Sequence, residues 1–207
     1  INAQDVEVLY VDAEVGEKQF DHRFQKLAAI FSNFETNGAK RFNYIFKEKG
    51  EPDMMKKIDD AVNYYRPNVV FIDCLYKITA GADISKAYQL YPIIEGLEEM
   101  KIKYDITLPI VHHLLKGNHE LGLQDDRMSG ASVLGFWMEH CVMITKSNEL
   151  FVRLLKWGDS RSISTPDQYY GLEFDPKDYS LTNIGVIEDW EKYIMTAKKK
   201  KSYEYYL

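Results

Sequence analysis

The sequence has few cysteines, no long apolar run and no basic excess. Cys74 and Cys141 are the two cysteines of the 207 residues, and both stand in apolar segments without zinc-site or disulfide-framework spacing. We therefore expect reduced, buried thiols and a cytoplasmic protein. No segment reaches the roughly 18 apolar residues that span a bilayer, so no membrane-spanning helix is expected. The formal net charge of −6 argues against a generally basic surface, although a local basic loop could still contact phosphates.

The sequence also lacks a glycine-rich loop of the form G-x-x-x-x-G-K-S/T, whose backbone N–H groups cradle phosphates. Gly16-Glu17-Lys18 is followed by glutamine, and Gly38-Ala39-Lys40 has Asn33 where the first glycine should stand. The composition is otherwise ordinary, with 45% hydrophobic and 28% charged residues. Such a chain is long enough for one sizeable core, so we expect residues 1–207 to form a single domain.

The first half of the chain alternates between strand and helix patterns. Apolar, β-rich segments at 6–11, 43–46, 69–72 and 108–111 predict four strands, and the unbroken run 69–72 is typical of a strand buried on both faces. Between them, apolar residues recur at helical spacing. These stripes are Phe20, Phe24, Leu27, Phe31 and Phe34; then Met54, Met55, Ile58, Val62 and Tyr65; then Ala87, Leu90, Tyr91, Ile94, Leu97 and Met100 within 84–104.

The second half begins with a polar, glycine-bearing loop over 116–132 and then becomes β-rich. Segments 141–145 and 150–155 flank a Ser147-Asn148 turn and predict a hairpin, 169–174 predicts a further strand, and 188–198 predicts a last helix. The whole pattern predicts an α/β domain with a mostly parallel sheet flanked by helices and with antiparallel edge strands at the C-terminal side.

Polar residues follow three of the predicted parallel strands. Glu14 follows the first, Asp73 the third, and His112 and His113 the fourth. Ligands of doubly wound sheets collect at these carboxyl ends, where one carboxylate suits Mg²⁺ and another can orient a water. The alternatives are that Glu14 only pairs with Arg23 or Lys18 and that Asp73 only caps a helix or a turn. A metal site made of His112, His113, His119 and Glu120 is a further alternative.

Four blocks over about residues 6–161 resemble the RepA-like and DnaB-like branch of hexameric RecA-fold ATPases. They are VLYVDAEVGEKQFDHRF, VVFID, PIVHHLLKG, and RMSGASVLGFWMEHCVMI followed by RLLKWGDSR. The resemblance implies a RecA-like P-loop ATPase core that uses ATP and Mg²⁺. It also implies a ring-shaped homo-oligomer that acts as a DNA helicase of a plasmid, phage or mobile element, with single-stranded DNA as a possible partner.

The resemblance implies a role for each matching residue. Glu14 would position the attacking water, Asp73 would bind Mg²⁺, and His113 would sense the γ-phosphate. Lys156 would reach the nucleotide of a neighbouring subunit. Arg161 lies three positions past the place where the family has its arginine and would substitute for it. The alternative for Lys156 is an exposed lysine at a strand end.

The loop 116–132 would face the nucleic acid, with Lys116 and Arg127 on phosphates, unless it is only a solvated loop. In the RecA-like fold we expect the phosphate-binding loop to follow a central strand beside the VVFID strand, upstream of Ile1. We therefore expect the chain to be part of a longer one and not to hydrolyse ATP alone. The alternative is a non-catalytic RecA-like module that binds DNA or a partner.

Overall fold

The computed structural model describes residues 6–28, 41–51, 53–114, 122–124, 128 and 132–194. The chain divides into two compact units, the first made of 1–113 and 129–133 and the second of 114–128 and 134–207. Each unit is described by itself. The single domain over 1–207 therefore stays a prediction. Among the described residues, no helix has both the length and the apolar character that crossing a membrane requires.

The first unit contains the predicted alternation of strands and helices. Its four strands form one parallel sheet in the order β2-β1-β3-β4. The strands are β1 (Val8–Asp12), β2 (Phe42–Phe46), β3 (Val69–Asp73) and β4 (Ile110–Val111), and the helices are α1 (Glu17–Ala28), α2 (Met54–Tyr65), α3 (Leu75–Ile78) and α4 (Ala87–Tyr104).

The core of this unit lies on one face of the sheet. Leu9 pairs with Val70 and Val11 with Ile72, and all four side chains are fully buried. The helical stripes predicted for α2 and α4 supply the other buried apolar residues, while Tyr91 of that stripe is exposed. The remaining buried residues are Met54, Ile58, Ala61, Val62, Leu90, Ile94, Leu97 and Met100.

Two expectations about β3 are wrong. Its second face is not buried among the described residues, because Phe71 remains 36% exposed between Val70 and Ile72, which are fully buried. Strand β3 also pairs with β1 on one side and with β4 on the other. No position beside the VVFID strand is therefore open for another central strand.

The second unit is built on an antiparallel sheet. The predicted hairpin is confirmed as β5 (His140–Lys146) paired with β6 (Val152–Ser160), and β7 (Tyr169–Phe174) and β8 (Leu181–Val186) extend the sheet in chain order. Helix α5 (Val133–Trp137) precedes β5, and neither α5 nor β8 was expected. The buried residues of this unit are Leu123, Met143, Leu154, Tyr169 and Ile194.

The helix predicted over 188–198 is wrong in its described part. A single 3-10 turn, Trp190–Tyr193, is followed by extended backbone at Ile194. Ile194 forms an antiparallel bridge with Ser147, and the N–H of Asn148 donates to the carbonyl of Tyr193. Pairing with the β5–β6 turn thus replaces the helical hydrogen bonds that the sequence pattern favoured.

Replacing Leu97 with alanine should destabilise the protein by about 2–5 kcal/mol, because the side chain is fully buried on α4 and its loss leaves a cavity. Ile102 lies on the same helix but is 72% exposed, so Ile102→Ala should change stability by no more than about 0.5 kcal/mol. Urea unfolding followed by helical ellipticity measures both. Equal losses in the two variants would contradict the burial described for α4.

Candidate functional site

The turn after β1 places Glu14 at the carboxyl edge of the parallel sheet. Oδ1 of the buried Asp12 accepts hydrogen bonds from the N–H of Glu14 at 2.9 Å and of Val15 at 2.7 Å. Gly16 then adopts φ +82°, the left-handed conformation expected of it, and α1 begins at the next residue. The turn is therefore fixed by backbone hydrogen bonds, and Glu14 projects from it with its side chain 36% exposed.

Glu14 contacts side chains from two other strand ends. Its Oε2 accepts a hydrogen bond from the thiol of Cys74, with Sγ at 3.3 Å, and lies 3.5 Å from Nε2 of His113. Cys74 directly follows β3 and His113 follows β4. The alternative in which Glu14 pairs with Arg23 or Lys18 is not what the described residues show. Three strand ends converge on one carboxylate instead.

Asp73 ends β3 beside this cluster and is held by a tyrosine. The O–H of Tyr10 donates to Oδ2 of Asp73 at 2.6 Å. Burial raises the pKa of Tyr10, and the hydrogen bond and charge of Asp73 raise that pKa further, so Tyr10 stays a donor at neutral pH. The helix-cap alternative for Asp73 is wrong, because Cys74 is the N-cap residue of α3.

Cys74 is a fully buried free thiol, as expected, whereas Cys141 is only half-buried. Burial raises the pKa of the Cys74 thiol to about 12, and its hydrogen bond to Glu14 contributes to the shift. The free thiol is therefore protonated at neutral pH and donates to the carboxylate. The positively charged Lys77 lies near the same carboxylate and stacks over the ring of Tyr76, with Nζ 4.9 Å from the centroid.

The two histidines after β4 differ in environment. The His113 side chain is 51% exposed at the site, with its ring 5.5 Å from the ring of Tyr76, whereas His112 is half-buried. The four-residue metal alternative involves His119 and Glu120, which lie outside the described residues. Among the described residues, the group whose ligand atoms converge is Glu14, Cys74 and His113, all within 4.8 Å of one another.

Lys156 and Arg161 belong to the second unit. Lys156 lies within β6, which continues to Ser160, so the strand-end alternative is wrong. Its side chain is 19% exposed and its Nζ contacts Oδ1 of Asp167 at 2.7 Å. Arg161 directly follows β6 and is exposed, and its backbone N–H donates to the carbonyl of Glu139 at 3.0 Å. The predicted nucleic-acid contacts Lys116 and Arg127 lie outside the described residues.

Comparison with protein families decides the family. Residues 1–119, more than half of the chain, match a family described as AAA domain. The chain belongs to the AAA domain family. This matched region contains Glu14, Asp73, Cys74 and His113, so the whole strand-end cluster falls within it. No curated protein matches the chain.

Solved structures establish the fold of this AAA domain chain. It is similar to the solved ATPase domain of a DnaB-like helicase, with a TM-score of 0.67 and 15% identity over 87% of this chain and 75% of that one. It is also similar to a KaiC-like protein of the hyperthermophilic archaeon Pyrococcus horikoshii OT3, with a TM-score of 0.61 and 10% identity over 87% and 77%. The predicted RecA-like α/β fold is therefore confirmed, and the chain is an ATPase-type domain.

The sequence reasoning did not identify three residues of the site. Asp12 had a signal, because an aspartate two residues before the N–H it binds is the pattern of an Asx turn. Cys74 was noted only as a buried thiol, and its place next to Asp73 could have joined it to the cluster. Tyr10 had no signal, because its contact with Asp73 depends on which strand pairs with β1.

Proposed function

We propose that this chain is the motor ATPase domain of a RepA/DnaB-like DNA helicase, a cytoplasmic replication protein of a plasmid, phage or mobile element. The domain works in a homo-oligomer on single-stranded DNA, and Lys116 and Arg127 contact phosphates of the nucleic acid. The family and the RecA-like fold support the ATPase part of the proposal. Only the sequence resemblance supports the helicase part.

One observation carries the proposal: Glu14, Asp73 and His113 stand at the carboxyl ends of three adjacent parallel strands, and Glu14 contacts His113. The parallel register places these ends at one edge of the sheet, where RecA-like and other doubly wound domains bind ligands. A carboxylate there can accept a proton from an attacking water, and a neighbouring imidazole can respond to the charge of the phosphate.

The donor set fits magnesium at Asp73. A carboxylate at a strand end, directly or through a water of hydration, is the ligand type that Mg²⁺ takes, and the bound ion would neutralise charge on the ATP phosphates. Tyr10 fixes one oxygen of Asp73 by its 2.6 Å hydrogen bond. This orients the carboxyl group before any ligand arrives.

The 207 residues contain no segment that fits the glycine-rich phosphate loop. We therefore assign to this chain the part of the site that positions water and magnesium, and we assign the phosphate cradle to a segment outside these residues. The experiments on hydrolysis use the longest natural polypeptide that contains the chain.

Asp73→Asn should raise the Mg²⁺ concentration needed for half-maximal ATP hydrolysis by about 10–100-fold, because the amide is a weaker magnesium ligand. Asp60→Asn is the control, since Asp60 is exposed on α2 and pairs with Lys56. Phosphate release at increasing Mg²⁺ measures both variants, with DNA present and absent.

Three outcomes decide between the functions. A shift confined to Asp73→Asn supports the magnesium role, and stimulation by single-stranded DNA supports the helicase assignment. An unchanged magnesium dependence in Asp73→Asn contradicts the role of Asp73. If the wild-type polypeptide binds DNA or a partner but hydrolyses no ATP in any condition, the non-catalytic module replaces the proposed function.

A further inference from the structure

We propose that Glu14, Cys74 and His113 form a three-ligand site for a thiophilic divalent cation of the Zn²⁺ type. The three side chains follow β1, β3 and β4, and their ligand atoms all lie within 4.8 Å of one another. They offer one carboxylate oxygen, one sulfur and one imidazole nitrogen. Sulfur and imidazole select zinc and similar transition metals over Mg²⁺, so this cation differs from the one proposed for Asp73.

The distances fit tetrahedral coordination. With zinc bonds of about 2.0–2.3 Å, neighbouring ligand atoms of a tetrahedral site stand roughly 3.3–3.6 Å apart. Oε2 of Glu14 lies 3.3 Å from Sγ of Cys74 and 3.5 Å from Nε2 of His113. A cation can therefore replace the thiol hydrogen bond and the contact with the imidazole with only small side-chain rotations.

The site also has an entry path and an open position. Glu14 and His113 are 36% and 51% exposed, while Cys74 is buried behind them, so a cation can approach from solvent. Three protein ligands leave a fourth tetrahedral position for water. Asp73 is engaged by Tyr10 and is not needed in this ligand set.

Metal occupancy has a consequence for hydrolysis. A bound Zn²⁺ would engage the carboxylate of Glu14 and the imidazole of His113, and so would inhibit hydrolysis. This consequence rests on the proposed function, in which both residues take part in hydrolysis. Binding of the cation rests only on the geometry of the three ligands and requires no nucleotide.

Titration of the 207-residue chain with Co²⁺ tests the site, under a phosphine reductant and without nucleotide. One equivalent of Co²⁺ should produce a sulfur-to-cobalt charge-transfer absorption in the near ultraviolet and the visible bands of a tetrahedral ion, and Zn²⁺ should abolish both. Cys74→Ser should remove the charge-transfer absorption. His113→Ala and Glu14→Gln should weaken binding by at least about 10-fold.

Matched controls use a cysteine and a histidine from the second unit. Cys141→Ser and His140→Ala should retain the full cobalt spectrum. Circular dichroism checks folding, and Glu14→Gln, an exposed and nearly isosteric change, keeps the test decisive if Cys74→Ser fails to fold. Absence of the charge-transfer absorption at millimolar Co²⁺, or a spectrum that Glu14→Gln leaves unaltered, would overturn the site.

Asp73→Asn separates this inference from the proposed function. It should leave the cobalt spectrum intact while altering the magnesium dependence of hydrolysis. A chain that binds Co²⁺ through Cys74 but whose hydrolysis is indifferent to Glu14 contradicts the ATPase role and retains the metal site. A chain that needs Glu14 for hydrolysis but binds no Co²⁺ does the reverse.

Discussion

Replacing Glu14 with glutamine is expected to lower the rate of ATP hydrolysis by about 10²–10⁴-fold, the contribution typical of a positioned general base. The amide keeps the size of the side chain but cannot accept a proton from the attacking water. The turn that presents it should persist, because Asp12 holds that turn through the backbone N–H groups of Glu14 and Val15. Nucleotide affinity should therefore change much less than the hydrolysis rate.

Single-turnover phosphate release and fluorescent-nucleotide binding, measured on the same preparation, separate these two effects. Glu17→Gln is the matched control, because Glu17 is an exposed carboxylate three residues further along, in the first turn of α1. It should hydrolyse ATP at the wild-type rate. Unchanged hydrolysis in Glu14→Gln would remove Glu14 from the mechanism and would leave the strand-end cluster without a catalytic carboxylate.

The sequence was sufficient to predict which residues reach the edge of the parallel sheet. Apolar runs that end in a polar residue indicate both a strand and the point where it ends, so Glu14, Asp73 and His113 could be assigned to strand ends. Because parallel strands place their carboxyl ends at one edge, their proximity was also predictable. The contacts between particular atoms were not, because they depend on strand order and rotamers.

Strand order explains the errors about β3. The apolar run 69–72 is compatible with a strand buried on both faces, yet Phe71 is partly exposed among the described residues. The same run gave no information on neighbours, and β1 and β4 occupy both sides of β3. Pairing partners are chosen by packing of distant segments, which local periodicity does not encode.

The second unit was harder to predict than the first. The hairpin had a strong local signal, since a Ser147-Asn148 turn separates two β-rich segments. Strand β8 (Leu181–Val186) has no comparable signal, because most of its side chains are exposed and Gly185 interrupts the pattern. The segment near Ile194 combined apolar and charged residues as a helix does, but its bridge to Ser147 competes successfully with helix formation.

Lys156→Ala is expected to lower the rate of ATP hydrolysis by about 10²–10³-fold, as the loss of one charged or polar group that stabilises a transition state does. Lys156 is held inside the second unit, with Nζ 2.7 Å from Asp167 and 5.4 Å from the centroid of the Tyr169 ring. To act on the nucleotide of a neighbouring subunit, it must exchange the Asp167 contact for a phosphate.

That exchange is energetically feasible. The Lys156 ammonium lowers the pKa of Asp167, so the pair is ionised at neutral pH, but the Asp167 side chain is 88% exposed and water and salt screen the attraction. Asp167→Asn should therefore leave hydrolysis unchanged or raise it modestly. Lys192→Ala, which removes an exposed lysine paired with Asp189, is the control and should have no effect.

Mixing two inactive variants distinguishes action on a neighbour from action within one subunit. In a mixed oligomer of Lys156→Ala and Glu14→Gln subunits, some interfaces combine an intact Glu14 on one subunit with an intact Lys156 on the next. Those interfaces should restore a measurable fraction of wild-type phosphate release, although each variant alone is slow. A mixture no faster than its components, with subunit exchange verified by fluorescence, would show that Lys156 does not act across an interface, and Arg161→Ala would then be tested in the same way.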